Sequence, residues 1–355
     1  MFCFWISVFL LLGLLGMYGL LYAALLRQPK EEERQQALPG TPPGISVLLY
    51  THNQLDTLRD SLSMILTQDY PHFEVIVIDD ASDDGTHEWL IQTQQAWPQL
   101  HYTFVPQSTR YVNHRSLALL LGAKAARHDI LLFTEADCLP TSDHWLASFA
   151  QACEASTELW IGCCRYACAD PTLAQKRIAF DHLLQGVRLL VAAHWGHPYG
   201  GDGRNLAYRR SLFLRQPSAL LARLSTQAGE QTRFVRHAAH RQNTLPLWQP
   251  ESLTEQQPVD ALTWQSIRQQ LRLTLRQQRG YMPLLFRFES VAFLLFHVAL
   301  LGTWLTALPT HWGYALGTLP LYLLRLGSRM WLFHRLALRL EQPPLTRWFP
   351  FLEWM

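Results

Sequence analysis

Apolar runs of strand length recur along residues 45–133 of this chain, and each one ends in a cluster of polar residues. Ile45-Ser-Val-Leu-Leu49 suits a buried parallel strand, and after Asn53 the residues Leu55, Leu58, Leu62 and Ile65 fall at helical spacing. Phe73-Glu-Val-Ile-Val-Ile78 predicts a second strand. It is closed by Asp79-Asp80-Ala-Ser-Asp-Asp-Gly-Thr86, which cannot continue a strand and can cap the helix through Glu88-Trp-Leu-Ile91. A strand over residues 101–105, a helix carrying Leu117, Leu120 and Ala123, and a strand at Ile130-Leu-Leu-Phe133 complete the pattern. Such alternation predicts an α/β domain with a doubly wound parallel sheet and ligands at the carboxyl ends of its strands.

Those ends carry Tyr50, His52 and Asn53 after the first strand, Asp79 and Asp80 after the second, and Glu135 and Asp137 after the fourth. Helix capping accounts for Asp83 or Asp84. It accounts less well for Glu135-Ala-Asp137, where two acids at one strand end can both approach a single cation.

On both sides of this domain the chain turns apolar. Phe2–Leu26 has no charged side chain and exceeds the ~20 residues that cross a bilayer as a helix. With no basic segment before it and no small-residue cleavage site after it, it reads as a retained anchor rather than a signal peptide. Two further apolar runs, residues 290–308 and 314–324, flank Pro309-Thr-His-Trp-Gly313 and read as a helical hairpin, although the shorter second run also suits an interfacial position. The loop between them has no Lys or Arg, whereas Arg325, Arg329, Arg335 and Arg339 follow the second run, and Arg27, Lys30 and Arg34 follow the anchor. The positive-inside rule then puts the middle of the chain in the cytoplasm of a multi-pass protein of the cell (inner) membrane. Over residues 262–279, Trp264, Ile267, Leu271 and Leu275 alternate with Arg268, Arg272 and Arg276 as in a basic amphipathic helix, and the position before a span favours the membrane surface over ordinary domain packing. The expected organisation is an anchor at 1–26, a linker at 27–44, the α/β domain at 45–258, an interfacial helix at 259–282, two membrane helices at 283–330 and a cytoplasmic tail at 331–355.

A net charge of +2 with 16% charged residues gives no basic surface for nucleic acid. The six cysteines have no framework spacing and read as reduced; Cys163-Cys164-x3-Cys168 lacks a second ligand pair for zinc and reads as buried strand thiols, and His194-x-x-His197 lacks further ligands at suitable spacing.

Four segments, in order, resemble glycosyltransferase family 2, inverting enzymes with a GT-A (nucleotide-diphospho-sugar transferase) fold, a doubly wound mixed sheet. They are Ile45-Ser-Val-Leu-Leu-Tyr-Thr-His-Asn53, Val75-Ile-Val-Ile-Asp-Asp-Ala-Ser-Asp-Asp-Gly-Thr86, Leu131-Leu-Phe-Thr-Glu-Ala-Asp-Cys-Leu-Pro140 and Gly201-Asp-Gly-Arg-Asn-Leu-Ala-Tyr-Arg-Arg210. Gly229-Glu-Gln-Thr232 and a QxxR element at Gln269 to Arg272 follow. The resemblance is strongest to membrane-bound members, with about three membrane helices here.

The resemblance implies that Asp79 holds the nucleotide base, with Tyr50, His52 and Asp80 beside it, and that Arg115 lies near the nucleotide. It implies that Glu135 and Asp137 correspond to the DxD element that holds Mg2+ or Mn2+ against the diphosphate, and that Arg272 meets the pyrophosphate. Glu230 matches the general base, one methylene longer than the usual Asp, which moves the carboxylate about 1.5 Å further from the backbone. Glu135 also stands where Asp is usual, and both changes keep the charge; Leu273 replaces the aromatic residue of a QxxRW element. Asn205 either lines the sugar or caps a helix.

The expected enzyme moves a sugar from a nucleotide-diphosphate donor, a UDP-sugar by preference, to a lipid or lipid-linked glycan at the cytoplasmic membrane face. The alternative is a noncatalytic sugar-nucleotide-binding membrane subunit of a polysaccharide assembly complex, suggested by the departures at Glu230 and Leu273. One anchor and two later helices are too few to line an export channel for a processive synthase.

Overall fold

The computed structural model describes residues 2–27, 42–105, 114–166, 172–215, 230–257, 280–307, 311–342, 345 and 348–352. They form two compact units: Met1–Gln28, Arg279–Arg339 and Pro343–Met355 in one, Pro29–Gln278 and Leu340–Gln342 in the other. The chain opens with helix α1 (Phe2–Leu26). The second unit runs β1 (Ile45–Thr51), α2 (Leu55–Leu66), β2 (Phe73–Asp79), α3 (Thr86–Ala96), β3 (Leu100–Phe104), α4 (His114–Ala125), β4 (Ile130–Glu135), β5 (Cys138–Pro140), α5 (Trp145–Gln151), β6 (Leu159–Ile161), β7 (Cys164–Tyr166), α6 (Leu173–His194), β8 (Leu206–Arg209), α7 (Arg210–Arg215), α8 (Glu230–Ala238), β9 (Thr244–Pro246) and β10 (Thr254–Gln256). Helices α9 (Tyr281–Ala307), α10 (Trp312–Arg339) and α11 (Phe349–Leu352) follow.

The main sheet has the order β3-β2-β1-β4-β8-β6-β9. Its first four strands are parallel, as the strand-helix alternation requires, because a parallel neighbour needs a helical crossover. Beyond β4 the purely parallel expectation gives way to a mixed sheet: β8 pairs antiparallel with both β4 and β6. That half is reached through β5, β6 and β7 rather than by one more crossover. A second sheet, β5-β10-β7, lies beside it.

The central strands are apolar on both faces, so helices must cover both. Val47, Leu49, Val75, Val77 and Leu132 pack with Leu58, Leu62 and Ile65 of α2 and with Trp145 and Phe149 of α5 in one buried cluster. On the other face Gly122 of α4 lets that helix lie directly on Leu48 and Ile78. One carboxylate sits inside β2. Glu74 accepts at Oε1 from the Ser46 hydroxyl (2.6 Å) and the Arg127 amide (2.6 Å), while its buried Oε2 accepts no hydrogen bond among the described residues and lies 3.8 Å from Arg127 Nε, whose charge offsets the cost of burial.

The free edge of β7 is closed by residues 340–342. The Tyr166 N–H donates to Gln342 Oε1 at 3.1 Å, Gln342 Nε2 donates to the Tyr166 carbonyl at 2.9 Å, and Arg165 pairs with Glu341.

In the other unit, α1 and α9 are each long and apolar enough to cross a membrane. They present large apolar side chains outward, among them Phe9, Leu12, Leu295, Val298 and Leu305. Both C-terminal helices exceed the apolar runs seen in sequence: α9 begins before residue 290, and α10 passes residue 324 and the boundary at 330 to reach Arg339. Three of their charged residues meet partners inside the bundle. Buried Glu289 of α9 forms an ion pair with Arg329 of α10 and accepts from the Tyr22 hydroxyl of α1 at 3.2 Å, and the Arg325 guanidinium lies 4.1 Å from the Phe293 ring centre. The interfacial helix expected at 259–282 lies outside the described residues except at 280–282, where α9 starts.

Candidate functional site

Strands β2 and β4 flank β1 on opposite sides, so the carboxyl end of β1 is where the parallel sheet reverses its order and opens a crevice. The register sets Thr51 opposite Asp79 and Tyr50 opposite Glu135. Six of the residues singled out from sequence, Tyr50, His52, Asp79, Asp80, Glu135 and Asp137, therefore meet at one edge although 85 positions separate Asp137 from His52.

Asp80 is the hub. The Tyr50 hydroxyl donates to its Oδ2 at 2.7 Å, His114 Nδ1 stands 3.4 Å from its Oδ1, and His52 Nδ1 donates to its carbonyl at 2.6 Å. Burial, reinforced by the bond to Asp80, raises the Tyr50 pKa, so the phenol stays a donor. The Arg115 guanidinium lies 4.5 Å from the Tyr50 ring centre and forms an ion pair with Glu135. His114 and Arg115 open helix α4 together. Burial raises the Glu135 pKa; Arg115 opposes this and neighbouring Asp137 adds to it.

Asp79 accepts the Ser82 N–H at 3.1 Å through Oδ1, and no described residue bonds its Oδ2. The loop after it is tied to the end of β1: Asn53 Oδ1 accepts from the Asp83 N–H at 2.8 Å, and the Asn53 N–H donates to Ser82 Oγ at 3.0 Å. Asp84 caps α2 by accepting the Leu55 N–H at 2.8 Å. Burial alone would raise the Asp84 pKa, but hydrogen bonds from Thr86 and Leu55 outweigh it and hold it below the usual carboxylate value. Ala81 is held at φ 54°, a region L side chains rarely occupy, between Asp80 and Ser82. A cleft of about 450 Å³ runs from Asn53, Leu55 and Asp84 to Asp137 and Gln257.

Asp137 accepts from Gln256 Nε2 (2.8 Å) at Oδ2 and from Cys138 Sγ (3.3 Å) at Oδ1. Among the described residues no set of three His, Cys, Asp or Glu side chains could hold a metal ion by itself. Two carboxylates nevertheless suit Mg2+ or Mn2+, which take one or two carboxylates and fill the remaining positions with phosphate oxygens and water. Glu135 and Asp137 fit that requirement as hard oxygen donors spaced two residues apart at the end of β4, Asp137 lining the cleft and Glu135 paired with Arg115.

Asn205 does not face a ligand. It is fully buried, its Nδ2 donates to the carbonyls of Cys163 (3.0 Å) and Ser252 (2.7 Å), and its Oδ1 accepts from Trp145 Nε1 (3.2 Å). Both amide hydrogens are used, so this residue pins three segments together and leaves no donor for a sugar. Glu230 is the first residue of α8. Helix α8 packs beside the Gly200–Arg204 loop: Gln231 lies against Gly203, Thr232 against Gly200 and Val235 against Gly201. Arg272 lies outside the described residues. Sequence reasoning gave no role to Gln256, Asp202 or Arg204, and named His114 only as the neighbour of Arg115; Asp202 and Arg204 lie inside the quoted motif beginning at Gly201, whereas no motif pointed to Gln256. Cys138, Cys163 and Cys164 are buried free thiols, as expected, and Cys168 lies outside the described residues.

Comparisons with known proteins bear on the family and the fold. The chain is 31% identical over 77 residues to a putative teichuronic acid biosynthesis glycosyltransferase, TuaG, of Bacillus subtilis, covering 22% of this chain and 31% of that one. It is 30% identical over 100 residues to a poly-beta-1,6-N-acetyl-D-glucosamine synthase of Staphylococcus epidermidis, covering 28% and 23%. The matches thus span under a third of these relatives' own lengths. Among solved structures, the mannosyltransferase PcManGT from Pyrobaculum calidifontis, in complex with GDP-Man and Mn2+, superposes with a TM-score of 0.56 at 18% identity, over 95% of this chain and 98% of that one. That likeness shows a GT-A fold. The family model for glycosyl transferase family 2 matches residues 46–223, half of the chain, and this chain belongs to that family.

Proposed function

We propose that this chain transfers a sugar, with inversion, from a nucleoside diphosphate donor to a lipid or lipid-linked glycan at the cytoplasmic face of the membrane. The observation that carries the reading is the convergence of Tyr50, Asp79, Asp80, Glu135 and Asp137 on one crevice at the ends of β1, β2 and β4. Asp79 keeps a carboxylate oxygen for a base N–H, and Tyr50 and Arg115 form a flat, cationic wall beside it. Glu135 and Asp137 would hold a divalent cation, which supplies charge neutralisation for the departing diphosphate. Glu230 takes the proton of the acceptor hydroxyl as its oxygen bonds the anomeric carbon, and the bond from that carbon to the diphosphate oxygen breaks on the opposite face. Arg272 adds positive charge for the leaving group.

The glycan or lipid acceptor is supported by the outward apolar faces of α1 and α9, and by relatives named for teichuronic acid and poly-N-acetylglucosamine synthesis. The Mn2+ in the PcManGT complex supports a divalent cation here.

The test is release of UDP, GDP or dTDP from a panel of sugar donors by the full chain in detergent, with Mg2+ or Mn2+ and membrane lipid extract. Wild type should release one nucleotide, and Glu230→Gln should be slower by about 100-fold or more. Equal release by both proteins across the panel would refute catalysis by Glu230. Donor binding without release in either would favour a noncatalytic binding subunit.

A further inference from the structure

Behind Asp137 a line of polar groups, buried at Gln256 and half-buried at Asp202 and Arg204, runs away from the crevice. Asp202 grips Arg204 with both oxygens, Oδ1 to Nε and Oδ2 to Nη2, each at 2.7 Å. Arg204 Nη1 donates to Gln256 Oε1, and Gln256 Nε2 donates to Asp137 Oδ2 at 2.8 Å. Gln256 is 5% exposed and Asp137 7%.

The chemistry of the line fixes its direction. A glutamine amide can be turned over at almost no cost in shape, so its orientation is set by what it meets. A guanidinium has only donors, so the group facing Arg204 must be the Gln256 oxygen, and the NH2 must then face Asp137. Burial pulls the Asp202 pKa up, but the Arg204 charge and its hydrogen bonds outweigh that and keep Asp202 ionised as the anchor of the line. The backbone repeats the grip one residue on. Gln256 sits opposite Cys138 in the antiparallel β10–β5 pair, and the Gln257 N–H donates to the Asp137 carbonyl at 2.8 Å. Gln256, the last residue of β10, and Gln257 after it thus hold Asp137 by its side chain and its main chain.

We propose that Gln256, oriented by the Asp202–Arg204 pair, is a positioning residue that aims the Asp137 carboxylate at the divalent cation of the donor complex. This rests on the metal-assisted reading above. A carboxylate free to rotate about its side-chain bonds must be ordered when the cation arrives, whereas one already held by an N–H on the far side of Oδ2 is not. Outer partners of metal ligands are typically worth 10–100-fold in metal affinity.

The test compares full-length wild type in detergent with Gln256→Leu and with Gln256→Met, whose flexible side chain fills the same space if leucine disturbs folding. Free Mn2+ is followed by electron paramagnetic resonance during titration with MnCl2, in the presence of UDP and, separately, of GDP. Nucleotide release is measured over a range of Mn2+ concentrations, and melting temperature is recorded for each protein. The expected result is Mn2+ binding weakened about 10- to 100-fold in the variants. The Mn2+ needed for half-maximal release should rise by the same factor, with the rate recovering at saturating Mn2+. Recovery by excess metal is the signature that a merely structural defect would not give. Unchanged Mn2+ affinity in a folded variant overturns the positioning role and leaves glycosyl transfer standing, as does a lost rate that excess Mn2+ does not restore. Failure of wild type itself to bind Mn2+ with either nucleotide overturns the metal reading, and this inference with it, while nucleotide release by the same sample still reports on transfer.

Discussion

Asp79 and Asp80 are adjacent in sequence and carry different duties. Asp80 spends both oxygens on Tyr50 and His114, which braces the wall of the crevice, while Asp79 gives one oxygen to the Ser82 N–H. A buried histidine behind the crevice permits a prediction about acid stability. Burial, and secondarily the Arg204 charge, lower the pKa of His182 to about 3, against an ordinary value of about 6.5. Between those two values the unfolded chain binds a proton there and the folded one does not, so stability contributed by this site is lost as pH falls through that window. His182→Gln should therefore lose less melting temperature between about pH 7 and pH 5 than wild type does, whatever its stability at neutral pH. An equal or steeper loss in the variant would show that other groups govern the acid response. At this scale the sequence disclosed the acids because each terminates an apolar run. It hid Gln256, which lies 119 positions from the carboxylate it touches and belongs to a strand of three residues with no periodicity to notice. Asn205 was legible as important and its duty was not, since an amide that binds a ligand and one that ties loops together read alike in one dimension.

Elements place the crevice by how closely they approach one another. Helix α4 brings His114 and Arg115 to the strand ends because Gly122 lets it settle on β2. A side chain there would start 2.9 Å from Ile78 Cγ1 and closer still to Ile78 Cδ1. Gly122→Val should cost about 1–3 kcal/mol through overpacking, outweighing any gain in helix propensity. Because Ile78 immediately precedes Asp79, donor affinity should fall along with melting temperature. A variant as stable as wild type and with the same donor affinity would show that the helix has room to lift. The strand-helix alternation up to β4 was legible because β1, β2 and β4 are each dominated by apolar residues. The antiparallel half was not, because β6 and β9 have three residues each and β8 four, too few to show a period. Likewise α9 and α10 outran their apolar stretches, since a hydropathy reading stops at Glu289 and Arg325 and cannot see that Glu289 meets Arg329.

At the scale of the whole molecule, a polar α/β unit and a bundle of apolar helices belong to one chain. The proposed membrane residence is supported by the outward apolar faces of α1 and α9. The chain should stay in the membrane pellet after an alkaline carbonate wash, and in inside-out vesicles added protease should digest the α/β unit. Extraction by carbonate, or protection of that unit in such vesicles, would contradict the proposed topology. The amide of Gln342, bonded face to face with the peptide of Tyr166, has its own consequence. Exposed β margins invite neighbouring copies to extend the ladder and grow into fibres or aggregates. With a glutamine side chain occupying that berth, the β7 margin of the smaller sheet is closed from within its own polypeptide, and crowded copies find no open ladder to stitch together at that side.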